Sequence, residues 1–280
     1  MRILTIVGRR ALALCFILAV SLLSCQSRLI YHPRPYDRAS LDFFERSGGR
    51  RLEFTTSQGQ QVAFYLPPRG AVDAKPAYVW FVFGGNGSLS LDYVGLPWRW
   101  DERFGYVFVD YPSYGLCEGS PSPKSIEENA LGAAARLRDM LAWSERDLSE
   151  RAGVFGHSIG CAAGLLAADA LHLRSAILCA PFTTLTDMAR RLVGWPLCYL
   201  NLHRFDNLSR LESLSRKGAK ACIFHGTEDA VIPVAMSQRL ASHREHLVRL
   251  VVLPGADHND VVTAAQDQAG AAMRELSGIK

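Results

Sequence analysis

Three short stretches of this chain hold the residues best suited to chemistry. Gly156-His157-Ser158-Ile159-Gly160 places a hydroxyl between two glycines. His225-Gly226-Thr227-Glu228-Asp229 offers two adjacent carboxylates, and Gly255-Ala256-Asp257-His258-Asn259-Asp260 offers an imidazole flanked by acids. A serine hydroxyl is a weak nucleophile on its own. It attacks an acyl carbon when an imidazole takes its proton and a carboxylate orients that imidazole. A G-x-S-x-G pattern alone arises by chance in about one chain of this length in ten, so its context decides.

That context is a run of elements that must bring the three stretches together. Ala77–Phe83, Tyr106–Val109, Gly153–Phe155, Ser175–Cys179, Ala221–Phe224 and Val248–Leu253 read as strands. Their near-continuous apolar character suits a parallel sheet covered on both faces. Leu52–Thr56 and Val62–Leu66 alternate around Gly59 and predict a hairpin. Helical spacing runs through Ile126, Ala130, Ala134, Leu137 and Leu141, with Ser125 as expected N-cap and Glu128 three residues on. The segments Ile159–Ala170 and Val261–Leu276 also read as helices. The βαβα order predicts a mostly parallel sheet with helices on both faces. The Ser158 pattern lies where a strand turns into a helix. The other two stretches follow strands, so all three are expected at one sheet edge.

On these motifs, GHSIG, HGTEDAVIP (His225–Pro233) and GADH, the chain resembles the α/β-hydrolase superfamily over nearly all of residues 50–276. The resemblance implies an α/β-hydrolase fold with a central sheet of about eight strands. It implies Ser158 as nucleophile, Asp229 as acid and His258 as base, with Glu228 the nearest rival acid. The backbone N–H of Ile159 would be one oxyanion donor. The other would come from Gly84-Gly85-Asn86-Gly87, from Asn86 with Gly85 as the alternative. That loop lacks the Lys-Ser/Thr ending of a phosphate-binding P-loop. Asp110-Tyr111-Pro112-Ser113-Tyr114-Gly115 resembles a structural segment of small, lightly capped hydrolases, with Ser113 where glycine is usual. Phe182–Gly218 is long enough for a helix and a short lid. Its Met188, Leu192, Trp195, Leu197, Tyr199 and Leu200 read equally as acyl-pocket lining or core.

Composition narrows the class further. Apolar residues at 49% and charged residues at 21% supply one sizeable core. The net charge of +4 includes Arg2, Arg9 and Arg10, so residues after the first 24 are close to neutral and carry no nucleic-acid footprint. Residues 1–24 read as a secretory signal, with an apolar run from Ala11 to Leu23 too short for an ordinary membrane span. Leu22-Leu23-Ser24-Cys25 resembles a bacterial lipobox, which implies lipidation of Cys25. Gln26 after it, by the same resemblance, favours the outer membrane; without the lipobox the protein would be periplasmic. Residues 25–45 are expected to be the lipidated cysteine and a tether, and 46–280 the hydrolase domain. The cysteines show no metal-like spacing.

The resulting expectation is a serine hydrolase of an ester or related acyl bond on a small or lipid-like substrate, held to a membrane by its lipid anchor. No metal or organic cofactor is implied. The same triad serves peptidases and thioesterases, and a non-catalytic lipoprotein on this fold is the remaining alternative.

Overall fold

The computed structural model describes residues 26–69, 75–242 and 246–279. Residues 1–25, which hold the expected signal segment and Cys25, and His243 lie outside the described residues. Eight strands form one sheet in the order β1-β2-β4-β3-β5-β6-β7-β8. These are β1 (Arg50–Thr56), β2 (Gly59–Leu66), β3 (Tyr78–Phe83), β4 (Phe104–Val109), β5 (Ala152–His157), β6 (Ser175–Cys179), β7 (Lys220–Gly226) and β8 (Val248–Leu253). The β1–β2 hairpin joins β4 antiparallel, and every pair from β4 to β8 is parallel.

The pleat of β3 explains its unbroken apolar sequence. Val79, Phe81 and Phe83 enter the core on one face, while Tyr78, Trp80 and Val82 enter the core on the other. Each such fully buried large side chain contributes about 1.5–3 kcal/mol. On the first face lie α2 (Pro123–Leu141), α4 (Ile159–Ala170), α6 (Asn207–Arg216) and α7 (Val234–Ala241), after α1 (Arg38–Arg46) has packed Phe44 on the opposite one. The helix α3 (Glu145–Arg151) leads into β5, α5 (Leu185–Val193) follows β6, and α8 (Val261–Ser277) covers the second face. The chain order reverses beside β3, with β4 on one side and β5 on the other. Ligands of open α/β sheets bind at such a point.

Three expectations need correction. Helix α2 starts a turn early: Ser122 is its N-cap, and Ser125 returns the bond from the third helical position. Pro123 permits this, because its fixed φ and missing N–H suit the first turn. Second, residues 26–45 do not form a tether. Residues 26–30 are helical, Tyr31 is buried, and Asp37 caps α1. Tyr31, Tyr36 and Phe44 supply enough apolar surface to hold this strap on the domain. Third, Leu192, Trp195 and Tyr199 of the lid are neither core nor enclosed lining; all three are exposed. Met188, like Leu185 at the start of α5, packs partly on the core.

Candidate active site

Ser158 sits between β5 and α4 with φ 57° and ψ −121°. A positive φ on a residue with a Cβ costs of order 1–3 kcal/mol and persists when the surroundings enforce it. Here they do. A Cβ on Gly156 would lie 2.3 Å from the Gly160 carbonyl oxygen, and one on Gly160 would lie 2.2 Å from that of Phe83. The turn is therefore too tight for any other residue at either position. The Ser158 N–H donates to the Cys179 carbonyl at 2.9 Å, which ties the turn to β6.

The structure brings Ser158, His258 and Asp229 into one hydrogen-bonded line. Ser158 Oγ is 3.0 Å from His258 Nε2, and His258 Nδ1 is 2.7 Å from Asp229 Oδ2. The carboxylate can only accept, so Nδ1–H donates and Nε2 presents its lone pair to the serine hydroxyl. Register delivers the residues. The loops after β7 and β8 are stitched by Thr227 N–H to Leu253 O at 3.0 Å and Glu228 N–H to Ala256 O at 3.0 Å. The side chain of Asp229 is fully buried. Burial pushes its carboxyl upward, but hydrogen bonds from His225, His258 and the Ile232 amide outweigh that and hold it well below the usual carboxylate range. Its Oδ1 accepts from Val231 N–H at 2.9 Å and Ile232 N–H at 2.8 Å. The rival Glu228 is exposed. Asp257 and Asp260 bond to backbone amides of their own loop.

Ile159 N–H opens α4 where the helix dipole favours developing negative charge. No hydrogen bond among the described residues uses the backbone N–H of Ile159 or of Asn86. The Gly85 amide, by contrast, donates to the Tyr93 hydroxyl at 3.2 Å. Of the two expected loop donors, Asn86 is thus the one left open for a ligand.

No family model matches the chain. An uncharacterized protein of Mycobacterium tuberculosis is 28% identical over 250 residues, covering 85% of this chain and 82% of the relative. The human alpha/beta hydrolase domain-containing protein 17B is 28% identical over 211 residues, covering 74% of this chain and 68% of that protein. A Pyrococcus furiosus esterase superposes with a TM-score of 0.68 at 15% identity, covering 89% of this chain and 98% of the esterase. The chain has the α/β-hydrolase fold.

Within this α/β-hydrolase fold, further residues brace the site. His157 Nε2 lies 2.9 Å from the His258 carbonyl oxygen, and its Nδ1 lies 2.8 Å from the Tyr93 hydroxyl. Burial, then the neighbouring His258, pulls the His157 pKa down to about 4. His225 is buried between Ser237 Oγ at 2.6 Å and Ile232 O at 2.8 Å, with Asp229 Oδ2 at 3.3 Å. The Asn86 carbonyl accepts from His32 N–H at 3.1 Å and from the Tyr114 hydroxyl, and its side-chain amide donates to Ile30 O at 3.2 Å. Tyr111 OH donates to Gly84 O at 2.5 Å. The Asp110 segment therefore braces the loop with both tyrosines, and Ser113 takes the left-handed conformation at φ 75°. Asp110 itself accepts from Ser90 N–H at 2.7 Å and Tyr36 OH at 2.6 Å. Burial pushes its pKa up to about 6. Tyr36, Tyr93 and the His32 region carried no sequence signal of their own, because their partners lie in other segments. The five cysteines of the described residues are all free and buried.

Proposed function

We propose that the protein is a serine hydrolase that cleaves a carboxylic ester or related acyl bond through an acyl-enzyme. The observation that carries the reading is the line from Ser158 Oγ through His258 to Asp229, at 3.0 and 2.7 Å. Ser158 Oγ attacks the acyl carbon while His258 Nε2 takes its proton. Asp229 holds the imidazole in the required tautomer and stabilises the imidazolium. The amides of Ile159 and Asn86 receive the oxyanion. His258 then returns the proton to the leaving group, and water, deprotonated by the same imidazole, releases the acid and frees Ser158. Similarity to a Pyrococcus furiosus esterase in fold and to an alpha/beta hydrolase domain-containing protein in sequence supports the reading.

The expected export and anchoring at Cys25, at the outer membrane, are part of the same proposal and rest on the sequence of residues 1–25. A Cys25→Ser chain should lose the lipid mass and its membrane association; an unchanged mass removes the anchor from the proposal. The hydrolase reading is tested with a fluorophosphonate probe on the full chain beside Ser158→Ala. Labelling that vanishes in the variant is the expected result. A folded wild-type chain that takes no label overturns the reading.

A further inference from the structure

Among the described residues, the four most exposed large apolar side chains are Leu192 at 82%, Trp195 at 77%, Leu202 at 65% and Leu29 at 63%. They come from two segments far apart in sequence that meet in the fold. The Gln26 side chain donates to Leu200 O at 2.8 Å and accepts from Leu202 N–H at 2.7 Å. Ser27 Oγ and Tyr31 OH both reach the His203 ring, at 3.3 and 3.2 Å. The lid and the strap thus form a single rim, and its outward side chains leave apolar surface in water at a cost in free energy.

Between Asp187 and Asp206, and ahead of Asp37, the two segments carry only positive charge. Residues 188–205 and 26–36 contain no aspartate or glutamate, while Arg28, Arg190, Arg191 and Arg204 are exposed on it. Arg190 donates to Tyr199 OH at 3.0 Å, which sets a guanidinium beside an exposed aromatic ring. Exposed Trp, Tyr and Leu edged by arginine suit the boundary between acyl chains and anionic headgroups. The chain also approaches this rim from a membrane-seeking stretch. Buried Gln26 is bonded to Cys25, and the apolar run of residues 11–23 ends just before it. Whether that run remains attached or is replaced by lipid on Cys25, the attachment point is one peptide bond from the rim.

We propose that residues 26–30 and 190–204 form a docking face for an anionic lipid bilayer, and that the Ser158 site draws its acyl substrate from lipids in that bilayer. The second half rests on the serine-hydrolase reading. The link between face and site is short: the strap runs on from the face to Ile30 and His32, which hydrogen-bond Asn86 in the expected oxyanion loop. A chain seated through Leu29, Trp195 and Leu202 therefore keeps that loop beside the membrane surface.

The test uses the full chain bound to vesicles of phosphatidylcholine and phosphatidylglycerol, with and without brominated acyl chains. The difference between wild type and Trp195→Phe isolates Trp195 from the four other tryptophans. Brominated lipid should quench most of the Trp195 emission, and Leu192→Ser/Leu202→Ser should relieve that quenching. Vesicle-bound protein whose Trp195 emission ignores the bromines overturns the docking face. The same double variant should turn over a bilayer-embedded acyl substrate about tenfold more slowly, given the apolar area removed, yet leave a short water-soluble ester nearly unaffected. Equal losses on both substrates overturn membrane supply. Bromine quenching together with absent fluorophosphonate labelling would keep the docking face and remove the hydrolase reading.

Discussion

The Tyr93 hydroxyl stands 2.8 Å from Nδ1 of His157, and this contact orients a chain of donors across the site. The His258 carbonyl can only accept, so His157 Nε2 carries the proton. With its pKa near 4, His157 is neutral at pH 7, and its Nδ1 accepts from Tyr93 OH. The Tyr93 oxygen is then free to accept from Gly85 N–H. One directional relay connects the histidine loop to the glycine loop after β3.

Tyr93→Phe removes both bonds while keeping the ring. It leaves His157 Nδ1 and Gly85 N–H buried without that partner, a cost of about 1–3 kcal/mol in stability. Turnover should fall by roughly tenfold, short of the ~10²–10³ that loss of a direct oxyanion donor costs. Steady-state kinetics should place the loss in kcat rather than KM. An unchanged kcat would remove Tyr93 from the positioning of the loop.

Asp229→Asn tests the orienting role directly. The amide cannot hold His258 in the same tautomer, so kcat should drop about 10⁴-fold with the fold retained. Fluorophosphonate labelling should slow in parallel. A variant that labels at the wild-type rate would transfer the acid role elsewhere.

Gly160→Ala tests the turn. Its Cβ would meet the Phe83 carbonyl oxygen at 2.2 Å, and that oxygen belongs to the sheet. Overpacking of this kind costs at least about 1–3 kcal/mol. For a domain of this size each kcal/mol lowers Tm by about 2–4 °C. Thermal melts should show that loss, and probe labelling of Ser158 should disappear.

Two buried groups make opposite contributions to stability between pH 4 and 6. Asp110 has a folded pKa of about 6 against an ordinary 3.8, so the folded state binds more protons there and stability falls as pH rises. His157 has a folded pKa of about 4 against 6.5, so the unfolded chain binds more protons and stability rises with pH. Each effect amounts to about 3 kcal/mol across the window. Asp229 acts below it, since a depressed carboxylate contributes stability that is lost as pH falls beneath the ordinary value. Urea midpoints of the wild type should therefore change little with pH from these two groups. Asp110→Asn should unmask a rising slope, and His157→Gln a falling one. Parallel slopes in wild type and Asp110→Asn would contradict burial of an ionisable Asp110.

Much of the frame was legible before folding. Ser175–Cys179 and Val248–Leu253 match β6 and β8 residue for residue; β6 is buried along its whole length, whereas β8 is the edge strand, buried at Val248 and Leu253 with Arg249 and Val252 exposed. The N-cap of α2 was misplaced because both serines fit the local rule, and Pro123 decided between them. The strap was misread as a tether because its prolines and charges resemble a linker, while its anchors are single aromatic residues.

What the sequence by itself determined is the set of groups and their strand ends: GHSIG, HGTED and GADH each sit where periodicity stops. Periodicity is local, and it reports which face of an element is buried. Only the tertiary structure decided that Asp229 rather than Glu228 meets His258, that Gly85 is already occupied, and that residues 26–32 clasp both the lid and Asn86. Those outcomes depend on contacts across 8 residues (Gly85 with Tyr93), 56 (Asn86 with Ile30) and 176 (Gln26 with Leu202), or on which of two neighbouring side chains turns inward. Hydrophobic burial and hydrogen-bond satisfaction settle such questions over the whole molecule at once.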